Sequence, residues 1–327
     1  MKHVPLSTFF LALFMWCSSV AHAVELTLAH YGSDTHPSHH SARVFAENVA
    51  KRTGNAVTVT ILPQSIMGGP HEILAKVVEG SLDMCLAGQN YLSSYAKMFD
   101  VVTIPFSLDS YEHADRVLDS PEFVRWATRE LEKVGLIYLS RWEWGFRQIS
   151  NSVRPINGPE DMAGLLFRTP PALASKATLE AFGATVTTIP FDKLVPTMRG
   201  SVVDGQENPL GVIYNLRLYE TQKYLCLLNF LYTSMNHVVA AEAWQQLTFE
   251  QQQIIREESA KAGLVMRNKV RVNEVRQLAE MRSRGAVVTT PNAAAFKKLI
   301  GPVHETIKKE VGEKSFARWM KLVDSFR

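Results

Sequence analysis

Cysteine is scarce in this chain and neither sign of charge dominates. Three cysteines in 327 residues are too few for a disulfide framework. Cys85 and Cys226 stand in apolar runs, Asp83-Met84-Cys85-Leu86 and Tyr224-Leu225-Cys226-Leu227-Leu228, outside any C-x-x-C or zinc-type spacing. Two buried free thiols are expected. Thirty-five basic against 32 acidic side chains leave a net charge of +3, without the basic excess of a nucleic-acid binder. Catalytic signatures are missing as well: no G-x-S-x-G, no phosphate loop, no G-x-G-x-x-G and no H-E-x-x-H. His71-Glu72 is followed by Ala75 where a zincin needs histidine. Neither an enzyme nor a cofactor is expected.

Apolar surface, by contrast, is plentiful. Hydrophobic residues make up 46% of the chain, with 16 Phe, 9 Tyr and 6 Trp, which excludes a disordered protein. Beyond roughly 250–300 residues one core stops growing, so two domains are expected. The first 23 residues read as an export leader. Lys2 and His3 form a basic start, Leu6 to Val20 is largely apolar, and Ala21-His22-Ala23 fits an A-x-A cleavage site. The apolar run is too short and too broken by serine to span a bilayer. A periplasmic protein is the expectation.

Alternating Leu26 and Leu28, then Val57, Val59 and Ile61, read as strands. Ser33-Asp34-Thr35 before Pro37 and Gly68-Gly69-Pro70 read as helix starts, and Met84 to Leu86 as a third strand. The β-α-β-α-β order points to a mostly parallel, helix-covered sheet. The pattern restarts with a strand at Leu136 to Leu139 and an extended segment from Gly145 to Asn151. Strands at Leu165 to Arg168, up to Ile189 and at Val202-Val203 follow, with helices between them. Thr248 and Gln251 form a capping box, and the next breaker is Gly285 apart from Gly263, where a kink is expected. Unbroken, that helix would measure about 54 Å, against a diameter of about 50 Å for a globule of this size. It would bridge two lobes.

Two groups of residues carry possible chemistry. His36 and His39 lie three apart at a helix start with His40 beside them, able to share a zinc ion; metal capture is the alternative function. Arg147 and Arg168 each follow a phenylalanine near the end of an extended segment. Open α/β sheets bind ligands at strand carboxyl ends, and a guanidinium there matches a carboxylate with two parallel hydrogen bonds. From composition alone, ordinary surface ion pairs account for such arginines more simply.

Gly145-Phe146-Arg147-Gln148, GLLFR at 164–168 and VDGQENP at 203–209 resemble the signature of the DctP-type substrate-binding proteins of TRAP (tripartite ATP-independent periplasmic) transporters. The resemblance runs over the whole mature chain, including the strand into Ala29-His30, Gly80 to Met84, Ile104-Pro105-Phe106 and the long C-terminal helix. It implies an α/β, bilobal Venus-flytrap fold: two sheet-plus-helix lobes with a long helix crossing both. It also implies a monomeric receptor that delivers an organic acid to small and large TRAP membrane subunits, driven by an ion gradient. After the leader, 1–23, the implied lobes are 24–144 with 234–273 and 145–233 with 274–327, the ligand cleft between them. By resemblance Arg168 clamps the ligand carboxylate, Arg147 is a second basic contact, Asn208 an amide contact and Phe191 an aromatic wall. Trp144, His30, Glu72 and Gln89 complete the expected ligand-binding set, the last three on the facing lobe.

Trp142-Glu143-Trp144 stands where many members have a smaller polar pair. The tryptophans either stack on a ligand ring or pack in the lobe core, and Glu143, if turned to the pocket, would disfavour a second ligand carboxylate. The expected ligand is therefore a sugar acid, hydroxy acid or aromatic acid with one carboxylate.

Overall fold

The computed structural model describes residues 23–327; all but the last residue of the expected leader lies outside them. Among the described residues no helix is long and apolar enough to cross a membrane. The first unit follows the alternation read from the sequence. β1 (Val24–Ala29) and β2 (Val57–Leu62) pair in parallel, and β3 (Met84–Gly88) lies parallel on the other side of β1. The crossover helix α1 (Pro37–Arg52) packs Phe45 and Val49 inward. Its cap is His36, not the Ser33-Asp34-Thr35 run: the ring Nδ1 accepts from Ser38 N at 3.2 Å, and proline takes the position that needs no donor. α2 (Pro70–Val78) is fixed at its start by Glu72, whose carboxylate accepts from Gly69 N at 2.9 Å.

The second half adds β5 (Leu166–Thr169), β6 (Thr185–Thr188) and β7 (Gly205–Pro209), with β5 parallel to both others. Val202-Val203 is a turn, with Val202 exposed. The strand is the polar block after it, Gly205-Gln206-Glu207-Asn208-Pro209, buried throughout because its side chains hydrogen-bond to neighbouring strands.

Two long strands join the halves. β4 (Leu136–Asn151) runs unbroken through the stretch expected to separate two shorter elements, and β8 (Tyr224–Ala240) lies antiparallel to it along its length. β3 pairs with one end of β8 and β7 with one end of β4. The sheet is thus continuous, in the order β2-β1-β3-β8-β4-β7-β5-β6, with β9 (Val287–Thr289) parallel on β8. Its central run β3-β8-β4-β7 is antiparallel and its two wings are parallel. Near the middle, the β4–β8 register shifts between Glu143 and Gly145, and Gly145 takes φ +119°, a conformation that a side chain would strain. Cys85 on β3 and Cys226 on β8 are buried and free.

The helix from Phe249 to Ser283 is continuous over 35 residues, about 52 Å. No break occurs at Gly263. That glycine serves close approach: a Cβ there would lie 2.7 Å from Arg141 O and 3.0 Å from Trp142 Cδ1 on β4. Near its start the helix binds Arg52 of α1 through Glu257 and Glu258, and near its end Tyr214 donates to Glu280. It therefore ties the first half of the chain to the second.

Candidate functional site

The carboxyl ends of β1 and β3 and the centre of the two long strands meet β5 and β7 around a narrow, water-sized cavity of about 10 Å³. Aromatic rings make one side of it. Tyr31 meets Trp144, Phe191 and Tyr91 edge-on at centroid distances of 5.1, 5.4 and 5.9 Å. Polar groups from Asn90, Asn208, Thr233 and Ser234, with Arg147 and Pro170, complete the lining. Burial pushes the Tyr31 and Tyr91 phenols up, so both are neutral donors at ordinary pH.

Arg168 stands on β5 close to Tyr91, Glu207 and Arg147, and it is 0% exposed. Its Nε donates to Ile189 O at 2.8 Å. Both Nη atoms are buried without a hydrogen-bond partner. Burial lowers its pKa to about 10, which leaves it charged at neutral pH. An isolated buried cation costs several kcal/mol unless an anion meets it, so this guanidinium is built for a partner the polypeptide does not supply.

Arg147, on β4, is already paired. Its Nε donates to the Glu207 carboxylate, and one Nη donates to Glu207 O at 2.8 Å and to Asn208 Oδ1 at 3.2 Å. Glu207 is fully buried, and its other oxygen accepts from Thr169 Oγ1 at 2.9 Å. Asn208 also donates to Gln206 Oε1. Arg147 and Asn208 line the cavity together with Phe191 and Trp144, while Arg168 is not among the lining residues and stands beside Tyr91 and Arg147.

The facing set differs. Glu72 caps α2 and lies in the outer mouth, a wider space of about 510 Å³ that shares Tyr91 and Phe191 with the inner cavity. Gln89 spends its amide on β8, donating to Tyr232 O at 3.1 Å and accepting from Ser234 N at 2.6 Å. His30 is buried beside His39, 3.3 Å between ring nitrogens, and burial lowers its pKa to about 3. Neither residue is among those lining the cavity. Tyr31, Asn90 and Tyr91 take that side instead. They follow the ends of β1 and β3, so the strand-end rule that singled out the arginines would also have found them.

The tryptophans divide. Trp142 is fully buried in the core, its Nε1 donating to Ser259 O at 3.1 Å on the long helix; Trp144 faces the cavity. Glu143 does not reach the cavity. It accepts from Tyr232 and, at 3.0 and 2.7 Å, from Nε and Nη2 of Arg271, inside a charged group that also holds Arg141, Arg267 and Asp115. It has no means of repelling a ligand. The histidines do not converge either. His36 Nδ1 is engaged by Ser38, His39 lies against His30, and His40 is exposed. Among the described residues no three His, Cys, Asp or Glu side chains gather as a metal site would.

Comparison with known proteins agrees in family and shape. Residues 28–310 match the model of bacterial extracellular solute-binding protein family 7, DctP. The 2,3-diketo-L-gulonate-binding periplasmic protein YiaO of Escherichia coli is 26% identical over 313 residues, 95% of each chain. The sugar acid binding protein DctPAm of Advenella mimigardefordensis, solved with galactonate, superposes with a TM-score of 0.89 at 25% identity, covering 93% of this chain and 98% of that one. A TRAP periplasmic solute-binding protein of Polaromonas bound to D-erythronate gives 0.87 at 26%, covering 91% and 98%.

Proposed function

The chain belongs to bacterial extracellular solute-binding protein family 7, the DctP type of TRAP transporters, and on that premise we propose that it captures a small organic acid by its carboxylate. The observation that supports the reading is Arg168, a fully buried guanidinium with two unpartnered nitrogens beside Tyr91 and Arg147, two residues that line the cavity. A ligand carboxylate meets it with two parallel hydrogen bonds. Arg147 and Asn208 orient the same group, while Trp144, Tyr31 and Phe191 cover the ligand's carbon skeleton. Sugar acids and hydroxy acids fit this mixture of rings, amides and hydroxyls; relatives crystallised with galactonate and D-erythronate support that choice. The loaded protein then presents the acid to TRAP membrane subunits. In this reading the lobes are 24–144 with 234–273 and 145–233 with 274–327, the boundary crossing β4 and β8 near Gly145.

Calorimetry against a panel of sugar and hydroxy acids tests the clamp. Arg168→Lys should weaken the best ligand by about 3–5 kcal/mol, since an ammonium cannot reproduce the planar fork and leaves the buried carboxylate poorly paired. Binding within threefold of wild type would refute the assignment.

A further inference from the structure

Away from the cavity lining, a cluster of charge gathers where β4 passes from one lobe to the other. Three guanidiniums, Arg141 on β4 with Arg267 and Arg271 on the long helix, meet three carboxylates, Asp115, Asp119 and Glu143. These charges cancel. Glu274 is a fourth carboxyl, about one turn beyond Arg271, and among the described residues no cation is bonded to it. Its partner is the Tyr111 hydroxyl, which donates to Oε1 at 2.8 Å and accepts from Phe146 N at 3.4 Å. Both groups press on the glycine of the register shift. A Cβ on Gly145 would stand 3.1 Å from Tyr111 Oη and 3.3 Å from Glu274 Oε1. Tyr111 belongs to the first lobe, whereas Gly145 and Glu274 open the two segments of the second. The hydrogen bond thus crosses the lobe boundary at its hinge.

The other elements packed here bring Glu274 no free cation. On the helix Tyr111–Leu118, Asp115 is held by arginines, Glu112 is exposed, and His113 turns to Val323 O and Asp109. β4 brings Glu143, β8 the Tyr232 phenol that burial keeps neutral, and β7 only Pro209. Arg271 attracts the carboxyl but is committed to Asp115 and Glu143. The helix Leu210–Asn215 brings Tyr214, which is bonded to Glu280. His36 of α1 reaches only as far as Gly211 and Gln277, and burial lowers its pKa to about 3. Burial first, then Glu143, pushes the Glu274 carboxyl up to about 7, against the pull of Tyr111 and Arg271. Burial also raises the Tyr111 phenol, which stays a donor.

We infer that Tyr111 and Glu274 form a proton-dependent brace on the hinge: the protonated Glu274 carboxyl holds the lobes together over the ligand, and its ionisation lets them part. The inference rests on the reading of a carboxylate receptor whose lobes divide near Gly145. With the lobes together, Glu274 is half-buried beside Glu143, where an ionised carboxyl without a cation is disfavoured. Opening at Gly145 lets water reach it. The closed protein therefore binds this proton more tightly than the open one, and by reciprocity the proton favours closure. A ligand that needs closure is held more tightly in acid and released more readily as pH rises through 7. Arg168 keeps its charge over this range, as does a ligand carboxylate, so neither produces such a profile.

Calorimetry at pH 6, 7 and 8, in paired buffers of different ionisation enthalpy, reads affinity and proton uptake together for galactonate, gluconate, erythronate, pantoate and succinate. The tightest of these should weaken about tenfold in the wild type from pH 6 to pH 8, with uptake of about half a proton at pH 7. Glu274→Gln carries no titrating proton but keeps an acceptor for Tyr111. Its affinity should stay within about threefold over the same range, with uptake near zero. Any pH dependence common to both proteins belongs to other groups, such as His71 at the mouth, and cancels in the comparison. Equal slopes and equal proton uptake in the two proteins overturn the brace and leave the carboxylate reading standing. Should the variant not fold, the wild type decides alone: proton uptake at pH 7 upholds the brace and its absence overturns it. A panel in which no acid binds at any pH overturns the carboxylate reading and the brace with it.

Discussion

Glu274, on the long helix, accepts a hydrogen bond from Tyr111 at 2.8 Å. Burial is the largest influence on its carboxyl and pushes its pKa up to about 7; Glu143 acts in the same direction, while the Tyr111 hydroxyl and Arg271 oppose it. A pKa raised in the folded state means that the proton stabilises the fold below the unfolded value of about 4.3, and that this stabilisation is lost as pH climbs through 7. Urea titrations of wild type and Glu274→Gln between pH 4.5 and 8 should therefore diverge. The wild type loses up to about 3 kcal/mol relative to the variant over that range. Parallel profiles would mean that the carboxyl is as well hydrated folded as unfolded.

At the scale of elements, Gly263 sets two effects against each other. Alanine in a helix interior ordinarily gains about 1 kcal/mol over glycine. Here the new methyl would stand 2.7 Å from a backbone carbonyl of β4, an atom that cannot rotate away, and overpacking of that kind costs about 1–3 kcal/mol. Gly263→Ala should lower the urea midpoint; an unchanged or higher midpoint would show that helix and strand are free to separate. The same residue shows where sequence reading falls short. A lone glycine in a helical run signals a kink unless the neighbour pressing on it is known, and that neighbour lies over a hundred residues upstream. β8 escaped for another reason. Nearly all of its side chains are buried, so the alternation that reveals a half-exposed strand is missing. β7 is hidden by its polar composition, its side chains bonding to the strands on either side. The parallel wings were legible because each has one wet face or a plain turn signal. Arg168, Arg147 and Asn208 were singled out through their motifs, whereas the pairing of Glu207, in the same block, with Arg147 shows only in the structure.

The whole molecule is joined along its middle and meets across the cavity, where Tyr31 of the first unit lies 5.4 Å from Phe191 of the second. A ligand bound to Arg168 and covered by Tyr31 touches both sides, the condition under which it favours a closed state by differential affinity. Closure also removes water from the clamp and strengthens its contacts. Small-angle scattering on protein stripped of ligand should show the radius of gyration fall when the cognate acid saturates it. A radius unchanged on saturation would reject closure. The hinge in this picture is Gly145 with the register shift beside it, set between halves that are each tied to the long helix.

The continuous sheet also governs the order in which the polypeptide can finish folding. β3 is bonded on one side to β1, close by in sequence, and on the other to β8, roughly 150 residues later, a separation that slows folding. While the chain is being made, the first unit can build β1, β2 and β3 with both crossover helices, yet the outer edge of β3 has no partner until residues 235–239 exist. Until then it presents an apolar, hydrogen-bond-hungry strand edge of the sort that invites aggregation. The first lobe, the first to be synthesised, thus stays incomplete until β8 is made.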